Sequence, residues 1–444
     1  MPLASMVGPG FLTSLRCVRN DIRQSYSHPS GEGFALVAKS DRNLLDLPQT
    51  RCYSRPNIPP EVTEYMGAPP FKELRRAYGF DEVAIVPGDV TVNPDQTCID
   101  FAVGDFTFTI PFLASSLDAV ASPQFAVKLG QAGGLAVLNL EGIYTRYEDP
   151  LAVIQHIVEA PQGQATALLQ NVYSAPIRED LIGRLVQEVK RGGVTCAVST
   201  TPANTKRLSH VAVEAGADIL VVQSTVTTAR HISKSTRGLI LSELCQQIRV
   251  PVLVGNCVTY SATLELMATG IQGVLVGVGP GAICTTREVV GVGVPQVTAT
   301  LDCAAAREEY HRRTGRYVSI ITDGGMRTGG DVCKAFASGA DAVMLGTTFA
   351  QAEEAPGLGY NWGMASFHPA LPRGTRIHAG VRGSLNQFLF GPTSVTDGTQ
   401  NLVGALRAAM GMCGAFTIRD MHQAEMVVAP AIKTEGKYYQ LAGL

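Results

Sequence analysis

From Ile110 onward the chain alternates short, nearly continuous apolar runs with amphipathic stretches, and this rhythm limits the fold more than any other feature. Eight candidate strands can be marked, at 111–116, 134–140, 194–199, 219–224, 250–256, 273–279, 317–323 and 342–347. Between them lie helical patterns such as 180–191, 204–215, 261–269, 304–313 and 330–338. A strand that is apolar on both faces belongs to a parallel sheet covered by helices, and eight such units predict an α/β fold, a closed (β/α)8 barrel of TIM type. The competing fold is a doubly wound open sheet, but the glycine-rich GxGxxG turn expected after its first strand is missing. Most of the runs end in polar or glycine residues: Ser115-Ser116, Asn139, Gln223-Ser224, Gly255-Asn256, Asp323-Gly324-Gly325 and Gly346-Thr347. In a barrel these strand ends converge on one face, where the chemistry sits.

The remaining constraints come from composition. A chain of 444 residues that is 45% apolar has ample material for one large barrel, assigned here to residues 63–444. Residues 1–62 carry Ser, Pro and scattered Arg with little periodicity. They read as a disordered extension outside the fold, and Met66 opens a segment that resembles a natural start. Residues 75–83 look like a lead-in that caps the barrel, 398–412 read as a packing helix with Cys413 in the core, and 432–444 as a subunit contact. A net charge of −2 without blocks of like charge gives no support for nucleic-acid or anionic-membrane binding. No apolar run approaches the ~18 residues that span a bilayer. The ten cysteines show no CxxC and no Cys/His cluster at zinc spacing, so reduced, mostly structural thiols in a cytoplasmic protein are expected.

One cysteine stands apart. Residues 277–296 read GVGPGAICTTREVVGVGVPQ, a glycine-rich loop after an apolar run, with Cys284 at its tip and Thr285 and Thr286 behind it. A thiol so placed can attack an electrophilic carbon while a hydroxyl two residues on manages a proton. The alternative is a phosphate-cradling loop with a bystander cysteine. Further on, Asp323-Gly324-Gly325-Met326-Arg327 ends one strand, and Val343-Met344-Leu345-Gly346-Thr347 ends the next. Two glycine-rich strand ends late in a barrel form a phosphate site from backbone amides, with Asp323 free to accept from ribose hydroxyls. Flavin-binding barrels use the same two ends, but they need no nucleophile at Cys284.

Taken with Ser115-Ser116-Leu117-Asp118 and Glu353-Glu354-Ala355-Pro356-Gly357, these motifs resemble the IMP dehydrogenase/GMP reductase family over about residues 75–383. The likeness is greatest to its divergent bacterial IMP-dehydrogenase-related branch, without the paired regulatory module. The resemblance implies that Cys284 attacks purine C2 to form a covalent thioimidate, and that Thr286 activates water or the leaving amine. Ser115, Asp323, Gly325, Gly346 and Thr347 would hold the ribose and phosphate of a purine nucleoside monophosphate, and Gly363 and Met364 the base edge. Gln223, Ser224, Thr225 and Asn256 fall where the family contacts NADPH or NAD. The carbonyls of Gly279, Gly281 and Cys284 match positions that bind a potassium ion in dehydrogenases. A homotetramer is implied as well.

The departures from the family pattern bear on the reaction. Ala282 stands in place of a phosphate-binding serine, Gln223 replaces an aspartate, Asn139-Leu140 a histidine-containing pair, and Asn361 a tyrosine. The C-terminal flap region is short: about 20 residues separate Gly357 from the Gly380–Gly383 turn, with no Arg-Tyr dipeptide among them. Only Arg373 and Arg376 offer guanidinium groups there, and His368 and His378 read as solvated loop residues. Without a positioned base, hydrolysis of a thioimidate loses a typical ~10²–10⁴-fold. The expectation is therefore an NADPH-dependent GMP reductase, with Glu354 as catalytic proton shuttle. The alternatives are an NAD-dependent IMP dehydrogenase using Arg373 or Arg376, and a catalytically weak nucleotide-binding regulator.

Overall fold

The computed structural model describes residues 74–232, 238–365 and 373–429; the expected extension, Met66, His368 and the 432–444 segment lie outside them. Eight parallel strands close into a barrel: β1 (Phe112–Ala114), β2 (Leu135–Asn139), β3 (Ala197–Thr200), β4 (Ile219–Gln223), β5 (Val252–Cys257), β6 (Gly273–Val276), β7 (Ser319–Asp323) and β8 (Ala342–Leu345). Each falls within, or overlaps by most of its length, one predicted run. Closure is made by β8 on β1, with Val343 opposite Phe112 and Leu345 opposite Ala114.

Why the runs are apolar throughout is visible in how alternate residues divide. Leu113, Val137, Val221, Leu253, Leu275, Ile321 and Met344 point into the barrel and form one apolar cluster. Phe112, Leu138, Val222, Val254, Val274, Ile320 and Val343 point outward into a second cluster, shared with the helices. A side-chain period of two on a sheet buried on both faces leaves no position for a polar residue except at the ends.

The bottom of the barrel is closed by a hairpin that the sequence reading did not anticipate. Phe101–Val103 pairs antiparallel with Phe106–Phe108, and Phe101, Val103 and Phe108 join the interior cluster. Its turn needs Gly104, at φ +56°, where a Cβ would come within 2.6 Å of Pro251 Cγ. The lead-in ends in Val83–Ile85, which pairs antiparallel with Met426–Val428.

The helices at Glu179–Arg191, Thr205–Glu214, Tyr260–Ala268 and Gly329–Ala337 lie close to their predicted positions. The predicted 304–313 is part of a longer helix, Gln296–Thr314, which Gly315 stops at φ +71°. Two helices between β2 and β3, Pro150–Glu159 and Gln162–Ser174, were not foreseen. The packing helix spans Leu402–Met412. Cys413, expected in the core, is half-buried at its end, and its thiol faces the Val86 carbonyl at 3.7 Å.

Arg307, 1% exposed, ties the long helix to the start of β8. Its Nη1 donates to Asp341 Oδ2 at 2.7 Å and to the Gly339 carbonyl at 2.8 Å. Asp341 Oδ2 also accepts the amide of Ile320 in β7 at 2.7 Å. Asp341→Ala would leave the buried guanidinium with the half-exposed Glu308 as its remaining counter-ion, at 2.9 Å, so unfolding in urea should show a loss of about 2–4 kcal/mol. A loss below about 1 kcal/mol would mean that this ion pair is not the latch between the helix layer and the sheet.

Candidate active site

The polar ends of the eight strands open into one cavity of about 850 Å³ at the C-terminal face of the barrel. Ser115, Gln223, Ser224, Thr225, Asn256, Gly279, Gly281, Cys284, Thr286, Asp323, Gly325, Gly346, Thr347, Gly363 and Met364 all line it. Apart from Glu354, and from Arg376 in the alternative reading, every site residue expected from the sequence is therefore brought together.

The cysteine loop leaves β6 through Gly277, Gly279 and Gly281. Gly279 sits at φ +77°, and a Cβ there would meet Arg287 Cγ at 2.6 Å. Arg287 holds the two ends of the loop, donating from Nε to the Val278 carbonyl at 3.1 Å and from Nη2 to the Val294 carbonyl at 2.7 Å. The Cys284 amide donates to the Gly281 carbonyl at 3.0 Å, and the half-buried thiol donates to Thr286 Oγ1 at 3.2 Å. A thiol of a kind that can act as a nucleophile and a hydroxyl able to relay its proton are thus in contact.

The second glycine turn packs directly against this loop. Gly324 and Gly325 adopt φ +82° and +83°, and a Cβ on Gly325 would lie 3.1 Å from Pro280 Cβ. Closing the barrel brings Ser115 beside Gly346, whose added Cβ would be 3.4 Å from Ser115 Oγ. Asn361 Nδ2 donates to Thr347 Oγ1 at 3.0 Å, while its buried Oδ1 has no partner.

Asp323 lies at the centre of the mouth. Its Oδ2 accepts from Asn256 Nδ2 at 2.8 Å and from Gln223 Nε2 at 3.1 Å. Gln223 Nε2 also reaches Asn256 Oδ1 at 3.0 Å, and Ser116 Oγ donates to Gln223 Oε1 at 3.3 Å. Desolvation pushes the Asp323 carboxyl up to about 6 against the opposing pull of those two amides. Gln223, expected at the cofactor, therefore also supports Asp323.

Two flap-region expectations change. Glu354 does not line the cavity: its Oε2 accepts the Leu385 amide at 2.7 Å, capping the short helix Leu385–Leu389, and Oε1 lies 3.7 Å from Lys128 Nζ. A carboxylate used at a helix start is not available to a substrate in the cavity. Arg376 is buried as well. It bonds the carbonyls of Ile157, Val158 and Ala160 at the end of helix Pro150–Glu159, and its guanidinium lies 4.6 Å over the Tyr360 ring. Arg373 lines the cavity, as do Arg327 and Arg382. His378 stacks on Tyr360 with ring centroids 4.3 Å apart.

The sequence reading also passed over Ser199, Thr200 and Thr201, polar residues at the end of β3 that line the cavity. The strand-end rule applied to β1, β4 and β5 would have found them. Thr399, from the loop before the last long helix, carried no such signal. Among the described residues, no group of three or more His, Cys, Asp or Glu side chains is placed to hold a metal ion, and no helix is long and apolar enough to cross a membrane.

The IMP dehydrogenase/GMP reductase domain model matches residues 77–436. An uncharacterized oxidoreductase of Mycobacterium leprae is 40% identical over 364 residues, covering 80% of this chain and 97% of that protein. The inosine-5'-monophosphate dehydrogenase of Borreliella burgdorferi is 30% identical, covering 79% and 93%. The crystal structure of an IMP dehydrogenase/GMP reductase-like protein from Corynebacterium glutamicum superposes with a TM-score of 0.76 at 35% identity, covering 81% of this chain and 96% of that one. With the barrel, the cysteine loop and the two glycine turns in one mouth, this chain belongs to the IMP dehydrogenase/GMP reductase family.

Proposed function

We propose that the protein is a nicotinamide-dependent oxidoreductase acting at C2 of a purine nucleoside monophosphate through a covalent bond to Cys284, and that it runs in the oxidative direction, from IMP, NAD and water to XMP, NADH and a proton. The observation that carries this reading is the Cys284 thiol bonded to Thr286 Oγ1 at 3.2 Å, on a loop in contact with the Gly324-Gly325 turn. In this reading the thiol proton leaves through the Thr286 hydroxyl, which gives its own proton on to water as it receives one, and sulfur adds to C2. Asp323 accepts from the ribose hydroxyls, and Gly363 and Met364 bond the base edge through backbone.

The phosphate end fits an anion in part. Ser115, Gly325, Gly346 and Thr347 offer amides and hydroxyls, and Asn361, whose Oδ1 has no partner, is bonded to Thr347 through Nδ2. Turning that amide over lets Thr347 donate to its oxygen and frees Nδ2 for a phosphate oxygen. Such a contact would offset the one lost at Ala282. Gln223, Ser224, Thr225 and Asn256 form a polar wall suited to the cofactor, which when bound accepts the hydride from C2. A potassium ion would take the carbonyls of Gly279, Gly281 and Cys284, and the Gly281 carbonyl already accepts one hydrogen bond from the Cys284 amide.

The direction differs from the one expected from sequence. Reduction of GMP needs an acid for the departing ammonia, and Glu354 is committed to a helix cap outside the cavity. Among the described residues, Asp323 is the one carboxylate lining the cavity. Hydrolysis of the thioimidate needs a group that holds water, and Arg373 lines the cavity while Arg376 is buried in packing. The short flap without an Arg-Tyr pair is the observation that keeps GMP reductase as the second reading.

Purified enzyme given IMP and NAD should gain absorbance at the reduced cofactor, and GMP with NADPH should lose none; the opposite pattern installs the reductase, and silence in both leaves a nucleotide-binding regulator. Cys284→Ala should abolish turnover while IMP still binds. Arg373→Ala should slow steady turnover by about 10²-fold or more yet retain a burst of one reduced cofactor per site, with the adduct on Cys284 seen by mass spectrometry. Loss of the burst together with turnover would remove Arg373 from the hydrolytic step. Because the Asp323 carboxyl is raised from 3.8 to about 6, it is ionised above pH 6 and protonated below. IMP affinity should therefore fall about tenfold from pH 7.5 to pH 5, and Asp323→Asn should flatten that profile.

A further inference from the structure

Helix Gln162–Ser174 turns one polar stripe toward the flap region. Gln162 Nε2 donates to the Arg376 carbonyl at 3.3 Å, Thr166 Oγ1 to the Gly374 carbonyl at 2.8 Å, and Gln170 Nε2 to the Arg373 carbonyl at 3.0 Å. Residues four apart lie on one face of a helix, so three side chains grip the backbone carbonyls of Arg373, Gly374 and Arg376 along one edge. One turn further, Tyr173 reaches the other side of the same region. Its buried hydroxyl donates to Asp118 Oδ2 at 2.7 Å and accepts from Trp362 Nε1 at 3.2 Å.

Each member of this chain of bonds is fixed. Asp118 follows the Ser115-Ser116 strand end, is 2% exposed, and its Oδ1 lies so close to Gly142 that a Cβ there would come within 2.2 Å. Burial holds the Tyr173 hydroxyl well above its usual range, which keeps it a donor to the carboxylate. Trp362 is fully buried and is the only tryptophan of the chain. It ends strand Tyr360–Trp362, and the next residues, Gly363 and Met364, line the cavity. A Cβ on Gly363 would lie 3.5 Å from Ile283 Cδ1, so this backbone faces the cysteine loop one residue before the nucleophile.

We propose that Tyr173 is a positioning residue for base recognition: bonded between Asp118 and Trp362, it fixes the Gly363-Met364 backbone at the height where a purine edge meets Cys284. The proposal rests on the purine-nucleotide reading given above. It separates the base from most of the phosphate site, because the turns at Gly324-Gly325 and Gly346 hang on β7 and β8 and Asn361, beside Trp362, has its own bond to Thr347 at 3.0 Å, whereas Trp362 is moored to an inserted helix between β2 and β3. A fault in Tyr173 should loosen one and spare the other.

The test compares IMP with ribose 5-phosphate, which lacks the base, on full-length wild type and Tyr173→Phe. IMP binding is followed by emission of the single tryptophan, and ribose 5-phosphate by its competition with IMP. Losing one buried hydroxyl should weaken IMP about tenfold and leave ribose 5-phosphate within about twofold. Trp362→Phe, which removes the donor at the other end, should show the same selective loss by calorimetry; the double variant should be no worse than either single one. Equal losses for both ligands, or no loss for either, in the variants that fold would overturn the positioning role while the purine reading stands. Failure of wild type to bind IMP at all would remove both.

Discussion

The parallel ladder between β8 and β1, with Val343 opposite Phe112 and Leu345 opposite Ala114, turns an open row of strands into a ring. Ser115 and Gly346 lie more than two hundred residues apart in sequence, and only this ladder makes them neighbours. Closure also fixes the direction in which every strand end points. Because side chains alternate and both faces are apolar, polar residues are confined to the termini of the strands. A mouth rich in Ser, Thr, Asn and Asp is therefore the place where the sheet stops being buried, and the same geometry gathers those residues around one cavity.

Within that mouth the cysteine loop and the Gly324-Gly325 turn constrain each other. Gly325 meets Pro280, Gly279 meets Arg287, and Gln296 Nε2 donates to the carbonyls of Val276 and Asp323 at 3.1 and 3.0 Å. The loop bearing Cys284 is thus referenced to the strand bearing Asp323 through close glycine contacts and the buried Gln296 side chain. Short links of this kind keep reacting atoms in register, which is worth several kcal/mol of barrier when bond formation needs alignment. Glycine recurs where the two loops touch because Gly279, Gly324 and Gly325 all sit at positive φ.

The sequence made the barrel legible because its signal is strong: a strand buried on both faces cannot hide a polar residue in its middle. The lid at the bottom was missed because Phe101–Val103 and Phe106–Phe108 are three-residue strands whose alternation is too brief to separate from a loop. The same limit applied to side chains. Glu354 and Arg376 had the right chemistry in the right region, but sequence does not reveal which face of a turn a side chain takes. One was consumed by the amide of Leu385 and the other by helix-end carbonyls of Ile157 and Ala160. Arg373 and Arg376 are three residues apart, yet one lines the cavity and the other is sealed in packing.

The two raised carboxyls, Asp118 and Asp323, cost the fold stability at neutral pH. Both are held near 6 by burial, above the 3.8 of an exposed aspartate. The sign follows from linkage: a folded value above the unfolded one contributes stability below pH 3.8 and loses it as pH rises through about 6. At neutral pH each ionised group therefore opposes folding, for the fully buried Asp118 by roughly 3 kcal/mol from a shift of about two units. An apolar residue at either position would have served the core better. Their hydrogen-bond partners point toward function instead: Asn256 and Gln223 leave Asp323 open to the cavity, and Tyr173 carries the hold of Asp118 to the backbone that faces the cysteine loop. Stability given up at these two carboxylates is recovered in the apolar interior that surrounds them, and what remains is a mouth whose shape is set by charge-assisted bonds.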